Sequence, residues 1–334
     1  MKKTGKRLLA AMLLFCTILI GAADEAQSTE STSETVNSAD DLPGKRIGVQ
    51  LGTTGDIYVS DYESDGSGTV VERYNKGADA IQALKQGKID CVVIDEQPAI
   101  KFVEQNTGIR ILDEEFTLED YAFVVAKSNT ELLDKVNSAL EKLEADGTIA
   151  DIQKNYIGTE DEIGKFPYES KDVSHENGTL TVGTNAEFPP YESYEDGQIV
   201  GIDMDIMRAV SDELGMELKI EDMAFDSIIP AISTGKVDIG AAGFTVTEER
   251  KKNVNFTDTY TTSKQVIIVK DDTVTSEKVG LGEKFYDNFI KDSRYVYLLK
   301  GLGNTLLITV LALLVGVVFG FLIAIVRTNH DRNG

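Results

Sequence analysis

Histidine and cysteine are scarce in this chain of 334 residues, which has two of each. Cys16 falls inside an apolar N-terminal run. If that run is removed, Cys91 stands alone and the exported part has no internal disulfide. His175 and His330 are isolated from Cys91 and from each other in the sequence, which argues against a Cys/His metal site. No serine, histidine or cysteine constellation suits nucleophilic catalysis, so any acid or base here would have to be a carboxylate. Cations are also in deficit: 33 Lys and Arg stand against 56 Asp and Glu, a formal charge of -23. Such a surface repels nucleic acid and anionic headgroups. It does not decide the case of a small ligand, because one arginine at contact range outweighs a diffuse field.

The two ends are apolar. Lys2, Lys3, Lys6 and Arg7 precede an apolar run, Leu8 to Ile20, and then Gly21-Ala22-Ala23. This is the layout of a secretory signal over 1–23, cleaved after Ala23. Bulky Phe15 before Cys16 argues against lipidation. Residues 24–41 are polar and acidic and read as a disordered tether. At the other end, 305–326 contains no charge and is long enough to cross a bilayer core of about 30 Å. Arg327 and Arg332 follow it, which places a short tail in the cytoplasm and the preceding domain outside the cell or in the periplasm. Gly316 and Gly320 form either a helix-packing face or a tolerated pair of glycines. The juxtamembrane segment 271–304 is expected to include an interfacial elbow over 284–301.

Between the ends, strand-like and helix-like pieces alternate. KRIGVQ (45–50), IDCVVID (89–95) and YAFVVAK (121–127) read as strands, and 130–147 as a helix stopping at Gly147. A second α/β segment covers 179–270, joined to the first, 42–157, by the linker 158–178. A weak repeat links them: IQALKQGKID (81–90) and IPAISTGKVD (229–238) share one frame of helix, glycine and buried strand. Doubly wound α/β lobes with a cleft between them follow, and ligands in such sheets sit beyond the carboxyl ends of strands.

Four strand-to-loop junctions then matter. AAGFTVTEER (241–250) offers Gly243, Thr245 and Arg250, with a helix expected to start near Thr247. Arg250 either clasps a carboxylate bidentately or belongs to a solvated TEERKK charge run. QLGTTGD (50–56) is a Gly-rich turn whose amides could meet the same anion. Asp95, emerging from VVIDEQPA, either pairs with an ammonium or caps a helix. Phe188 and Tyr191 of NAEFPPYE, with Phe225 of AFDSIIPA, wall an apolar slot or pack in the core. Together these residues are an inventory for a free α-amino acid.

At these residues the sequence resembles the family 3 solute-binding proteins, the polar amino-acid receptors of ABC importers. The stretches that carry the resemblance include TLTVGTNAEFPPYE, GIDMDIMRAVSDELG, STGKVDIGAAGFTVTEERKKNVNFTDTY, RIGVQLGTTGD and GKIDCVVIDEQPA. YLLKGLGNTLLITVLALLVGVVFGFLIAIVRT resembles the first transmembrane segment of the matching permease. The resemblance implies a periplasmic-binding-protein-like fold, no cofactor, and an importer permease and ATPase as partners. It implies that Arg250 and Thr245 hold the ligand carboxylate with Thr53 and Thr54 adding donors. It further implies that Asp95 and the Gly243 carbonyl take the ammonium, that Phe188 and Phe225 sandwich the side chain, and that Gln50 touches it.

One departure stands out. In the family the lobe beginning TLTVGTNAEFPPYE (lobe 1) comes first and the lobe beginning GKRIGVQLGTTGD (lobe 2) second; here lobe 2 leads. Circular permutation with intramolecular closure is the expectation. A relic of tandem modules, or a domain-swapped dimer, is the alternative. Functionally, membrane-tethered capture of a polar amino acid is expected. The rivals are a dehydratase-like enzyme on the same fold and a non-functional truncated fusion product.

Overall fold

The computed structural model describes residues 35–114, 117–271, 286, 290 and 294–333. The expected signal and residues 24–34 of the expected tether lie outside them. The chain forms two units, Met1–Asp272 and Thr273–Gly334.

The first unit is bilobal and mixed α/β. Before the first strand, Ser38 and Asp41 cap each other around a 3-10 turn, Ala39–Asp41. Val36 and Leu42 are buried with Ile47, Val49 and Val269. The expected tether is therefore corrected for 35–41: Val36 within it and Leu42 directly after it anchor this stretch to lobe 2.

From there the chain builds β1 (Arg46–Gln50), α1 (Thr54–Ser60), β2 (Val70–Tyr74), α2 (Gly77–Lys85), β3 (Cys91–Asp95), α3 (Glu96–Gln105), β4 (Ile109–Ile111) and β5 (Thr117–Tyr121). β1 lies parallel between β2 and β3. Every residue of β3 is buried, as expected for a strand covered on both faces.

The chain then crosses into lobe 1 with β6 (Val124–Ala126), α4 (Thr130–Ala145) and α5 (Thr148–Ile157). After the linker come β7 (Thr179–Thr184), β8 (Glu187–Phe188), β9 (Glu192–Glu195), β10 (Gln198–Val200), α6 (Ile202–Leu214), β11 (Glu217–Asp222), α7 (Phe225–Ser233), β12 (Ile239–Gly240) and β13 (Val254–Phe256). It returns to lobe 2 as β14 (Thr261–Lys270). The lobe 1 sheet has the order β11-β7-β12-β6-β13, and the lobe 2 sheet β2-β1-β3-β14-β4 with β5 also on β14.

Two strands thus change places relative to the sequence boundaries. Residues 124–157, expected with lobe 2, belong to lobe 1, where β6 pairs antiparallel with β12 and β13. Residues 261–270, expected with lobe 1, supply β14 to lobe 2, antiparallel to β3, β4 and β5. An apolar run reports that a strand is buried, but not which sheet buries it.

The two crossing segments are bonded to each other where the chain passes between the lobes. Phe123 N donates to Thr257 Oγ1 at 3.0 Å. Thr257 N returns a bond to Phe123 O at 2.9 Å, and Tyr260 N bonds Tyr121 O at 3.0 Å. The Phe123 and Tyr260 rings stack at 4.5 Å between centroids.

The linker does not span the cleft. Gly164 N bonds Asn155 O, Tyr168 Oη and Lys171 N both donate to Asp212, and Asn177 Nδ2 donates to Leu214 O. It runs along lobe 1, joining two elements of that lobe.

The repeat holds in three dimensions. α2 and α7 are followed by Gly87 and Gly235, both at positive φ, +75° and +72°. Lys88 N bonds Ala83 O and Lys236 N bonds Ala231 O, the pattern of a Schellman cap. The repeat aspartates then tie each helix–strand unit to the neighbouring strand: Asp90 Oδ2 accepts from Arg46 N and Asp238 Oδ2 from Thr181 N, both at 2.8 Å.

In the second unit, α8 (Arg294–Asn333) is a single helix. Its segment Leu299–Val317, mean hydropathy 1.8, is long and apolar enough to cross a membrane. Residues 294–304 belong to this helix, and the rest of the expected elbow lies outside the described residues except for 286 and 290.

Candidate functional site

The site forms where parallel strands end. β1 runs out at Gln50, and the chain turns through Gly52 (φ +77°). Thr53 then caps α1, its hydroxyl accepting from Asp56 N. β3 ends at Asp95, which stands at the N-cap position of α3 without making a cap hydrogen bond. Its carboxylate instead takes the Tyr121 hydroxyl. In lobe 1, β7 ends at Thr184 and leads to Asn185, and β12 leads to Ala242, Gly243 and Thr245.

Nine of the residues singled out in the sequence line one cavity: Gln50, Thr53, Thr54, Asp95, Phe188, Phe225, Gly243, Thr245 and Arg250, whereas Tyr191 is buried in the core. Asn185, Glu192 and Ala242 complete the cavity lining. The cavity measures about 10 Å³, room for about one water. The two lobes are closed on this cavity and bonded across it.

Arg250 is 7 % exposed, whereas Glu248, Glu249, Lys251 and Lys252 are exposed and pair among themselves. The charge-run reading therefore holds for its neighbours and not for Arg250. The expected helix at Thr247 is only a 3-10 turn, Arg250–Lys252, with Thr247 Oγ1 accepting from Arg250 N. A short turn re-aims the arginine inward, where Nη1 donates to Thr245 O at 2.9 Å and Nη2 crosses the cleft to Gly52 O at 3.1 Å. The guanidinium lies over Phe225 and Phe244, 5.4 and 5.5 Å from their centroids. Burial lowers its pKa, opposed by the charges of Glu119 and Asp95.

Further contacts cross the cleft. Gln50 Nε2 donates to Asn185 Oδ1 at 2.8 Å, and the Thr54 and Thr245 hydroxyls lie 3.4 Å apart. Thr245 Oγ1 donates to Glu119 Oε2 at 2.7 Å. Gly243 adopts φ +55°, and a Cβ there would lie 2.8 Å from the Phe188 ring, so only glycine fits.

Acids dominate the electrostatics. Burial, reinforced by Glu119, pushes Asp95 up to about 7. Burial holds Glu192 well above the usual carboxylate range, with Asp203 and Asp95 adding repulsion. Asp203 behind Gly243 is also raised by burial to about 7, although it accepts from Gly243 N and Tyr260 Oη.

Sequence reasoning missed Glu192 and Glu119. Glu192 directly follows the quoted Pro-Pro-Tyr loop, but Glu187, Glu195 and Asp196 stand close by in the sequence and nothing there sets it apart from them. Glu119 defeats alternation: its neighbour Leu118 is 75 % exposed while Glu119 is buried.

Two curated relatives are similar over part of the chain. An arginine-binding protein of Corynebacterium glutamicum is 44% identical over 84 residues, 25% of this chain and 28% of that protein. An arginine-binding extracellular protein of Bacillus subtilis is 40% identical over 93 residues, 28% of this chain and 36% of that protein. This chain thus covers about a third of the length of each. Among solved structures, the arginine-bound form of domain 1 from TmArgBP is 42% identical, covering 29% of this chain and 84% of that one, with a TM-score of 0.25. Residues 67–159 and 180–327 match bacterial extracellular solute-binding proteins, family 3. With most of its length matched and a two-lobed cleft at its strand ends, the chain belongs to the family 3 bacterial extracellular solute-binding proteins.

Proposed function

We propose that this chain captures a polar amino acid outside the cell for an ABC importer. The observation that supports it best is convergence. Donors, acids and aromatic rings from both lobes meet in one cavity around a buried arginine. Arg250 holds the ligand carboxylate, exchanging its bonds to the Thr245 and Gly52 carbonyls for a bidentate pair, with Thr53, Thr54 and Thr245 adding donors. Asp95 and the Gly243 carbonyl take the ammonium. Phe188 and Phe225 flank the side chain, and Gln50 reaches it. Ligand settles on one lobe, the hinge at 121–123 and 257–260 closes, and the other lobe completes the contacts.

In the same reading residues 1–23 are an export signal and α8 tethers the capture domain to the membrane. α8 stands for the first span of a permease, and an ABC permease and its ATPase are the partners. The relatives named for amino acids support the ligand class.

Titration calorimetry of the full-length chain in detergent against the twenty amino acids tests this. One-to-one binding is expected, and Arg250→Ala should weaken it by about a hundredfold or more, because a buried carboxylate loses its partner. A folded protein that binds none of the twenty ends the proposal.

A further inference from the structure

Asp203 stands behind the cavity wall, and its exposure is 0%. Both of its carboxylate oxygens are engaged: Oδ2 accepts from Gly243 N at 2.9 Å, and Oδ1 accepts from the Tyr260 hydroxyl. Hydrogen bonds to an ionised acceptor are the strong ones. The start of the helix that carries Asp203 is pinned as well. Ile202 N bonds Pro190 O at 3.0 Å, and Asp203 N bonds Tyr191 O at 3.1 Å. Gly201 just before them, at φ +138°, passes so near Tyr191 O that a Cβ would lie 2.1 Å away. The carboxylate is thus delivered to one place.

Its two partners belong to different parts of the machinery. Gly243 lines the cavity, and as a glycine its backbone has the widest freedom of any residue. On the C-terminal side that freedom is limited by Ala122 N, which bonds Phe244 O at 3.0 Å. On the N-terminal side the Gly243 N–H is held by Asp203, so the carbonyl between the two has a set direction. Tyr260 lies on the segment that crosses between the lobes. Its N bonds Tyr121 O, its ring stacks on Phe123, and its carbonyl accepts from Gln153 Nε2 at 2.8 Å. Tyr121 in turn donates to Asp95 in lobe 2. One carboxylate therefore joins a cavity peptide of lobe 1 to the crossing, and the crossing leads to Asp95.

We infer that Asp203 is a positioning residue for capture: it fixes the Gly243 carbonyl for the ligand's ammonium and, through Tyr260, ties that carbonyl to the crossing between the lobes. The inference rests on the capture reading above, in which Gly243 and Asp95 take the ammonium from opposite lobes. Asp205 supplies the contrast. It is also buried in the first turn of α6, but its carboxylate meets Tyr156 and Arg208 and holds nothing that lines the cavity.

The test is titration calorimetry of the full-length chain in detergent, with the twenty amino acids as probes and the tightest carried through the variants. Asp203→Ala should weaken binding by about tenfold to a hundredfold. Asp203→Asn can accept from Gly243 N through its amide oxygen and donate to the Tyr260 oxygen, so it should stay within about threefold of wild type. Tyr260→Phe keeps the ring stack and should weaken binding about threefold to tenfold, with no further loss when it is added to Asp203→Ala. Asp205→Ala should lower the melting temperature and leave affinity unchanged, which separates positioning from support of the fold. Wild-type affinity in Asp203→Ala or Tyr260→Phe overturns the inference and leaves the capture reading standing. So do an Asp203→Asn variant as weak as Asp203→Ala, additive losses in the double variant, or an equal loss from Asp205→Ala. If the wild-type protein binds none of the twenty, the capture reading fails and takes this inference with it. Should Asp203→Ala not fold, Tyr260→Phe must still lose affinity and Asp203→Asn must keep it.

Discussion

Asp95 shows what a single buried residue does to the whole fold. Burial moves its pKa from 3.8 up to about 7, and Asp203 moves likewise. At pH values between, the folded protein keeps protons that the unfolded chain has released. Stability from these groups is therefore complete below pH 3.8 and is lost as pH rises toward 7. The ligand-free protein should melt at a lower temperature at pH 8 than at pH 5. Asp95→Asn should make that drop smaller, since an amide has no proton to lose. An unchanged pH slope in the variant would mean that Asp95 is not the group responsible. The identity of such residues was legible because a polar residue at the end of an apolar strand announces a junction, as with Gln50, Asp95 and Thr245. Glu119 was not legible: cleft walls reverse the usual alternation, and Leu118 beside it points out to solvent.

At the level of elements, the repeated helix-glycine-strand unit was readable because its parts are local. Apolar spacing, a left-handed glycine cap and a following aspartate lie within ten residues of one another. Sheet membership was not readable, because β6 and β14 are defined by partners far away in sequence. The repeat makes a quantitative expectation. Asp90 and Asp238 each accept a backbone N–H from the adjoining strand, so Asp90→Ala and Asp238→Ala should each cost about 1.5–3 kcal/mol in urea unfolding. Asp90 also takes a bidentate pair from Arg46, Nε to Oδ2 at 3.2 Å and Nη2 to Oδ1 at 2.7 Å, so Asp90→Ala should be the more costly of the two. A loss from only one of the two variants would show that the two units are alike in shape but not in energetics.

At the largest scale, the two lobes of the first unit are built by exchange between the halves of the chain. Each sheet borrows one region from the far half of the chain: lobe 1 takes β6, and lobe 2 takes β14. Val36, at the start of the described chain, is buried with Val269, near the end of β14. The break in the family's order thus falls at an edge of lobe 2 where the two ends are neighbours, and the linker closes a gap within lobe 1. A chain in which a short connection joins 271 to 35 and the linker is opened within 165–175 should keep the fold. Its circular dichroism and melting temperature should be close to those of the parent, as the strand pairings are untouched. A rearranged chain that fails to fold cooperatively would show that the linker does more than connect.

The pairing of Asp95 with Gln265 also sets a schedule. β14 lies inside the lobe 2 sheet, between β3 and β4, yet it is the last strand of the module to leave the ribosome. The lobe that is made first therefore waits, with the edge of β3 open, until the end of the other lobe has been synthesised. Such long-range pairing is slow to form. The sheet of lobe 2, begun with β1, is thus completed only after every strand of lobe 1 has been made.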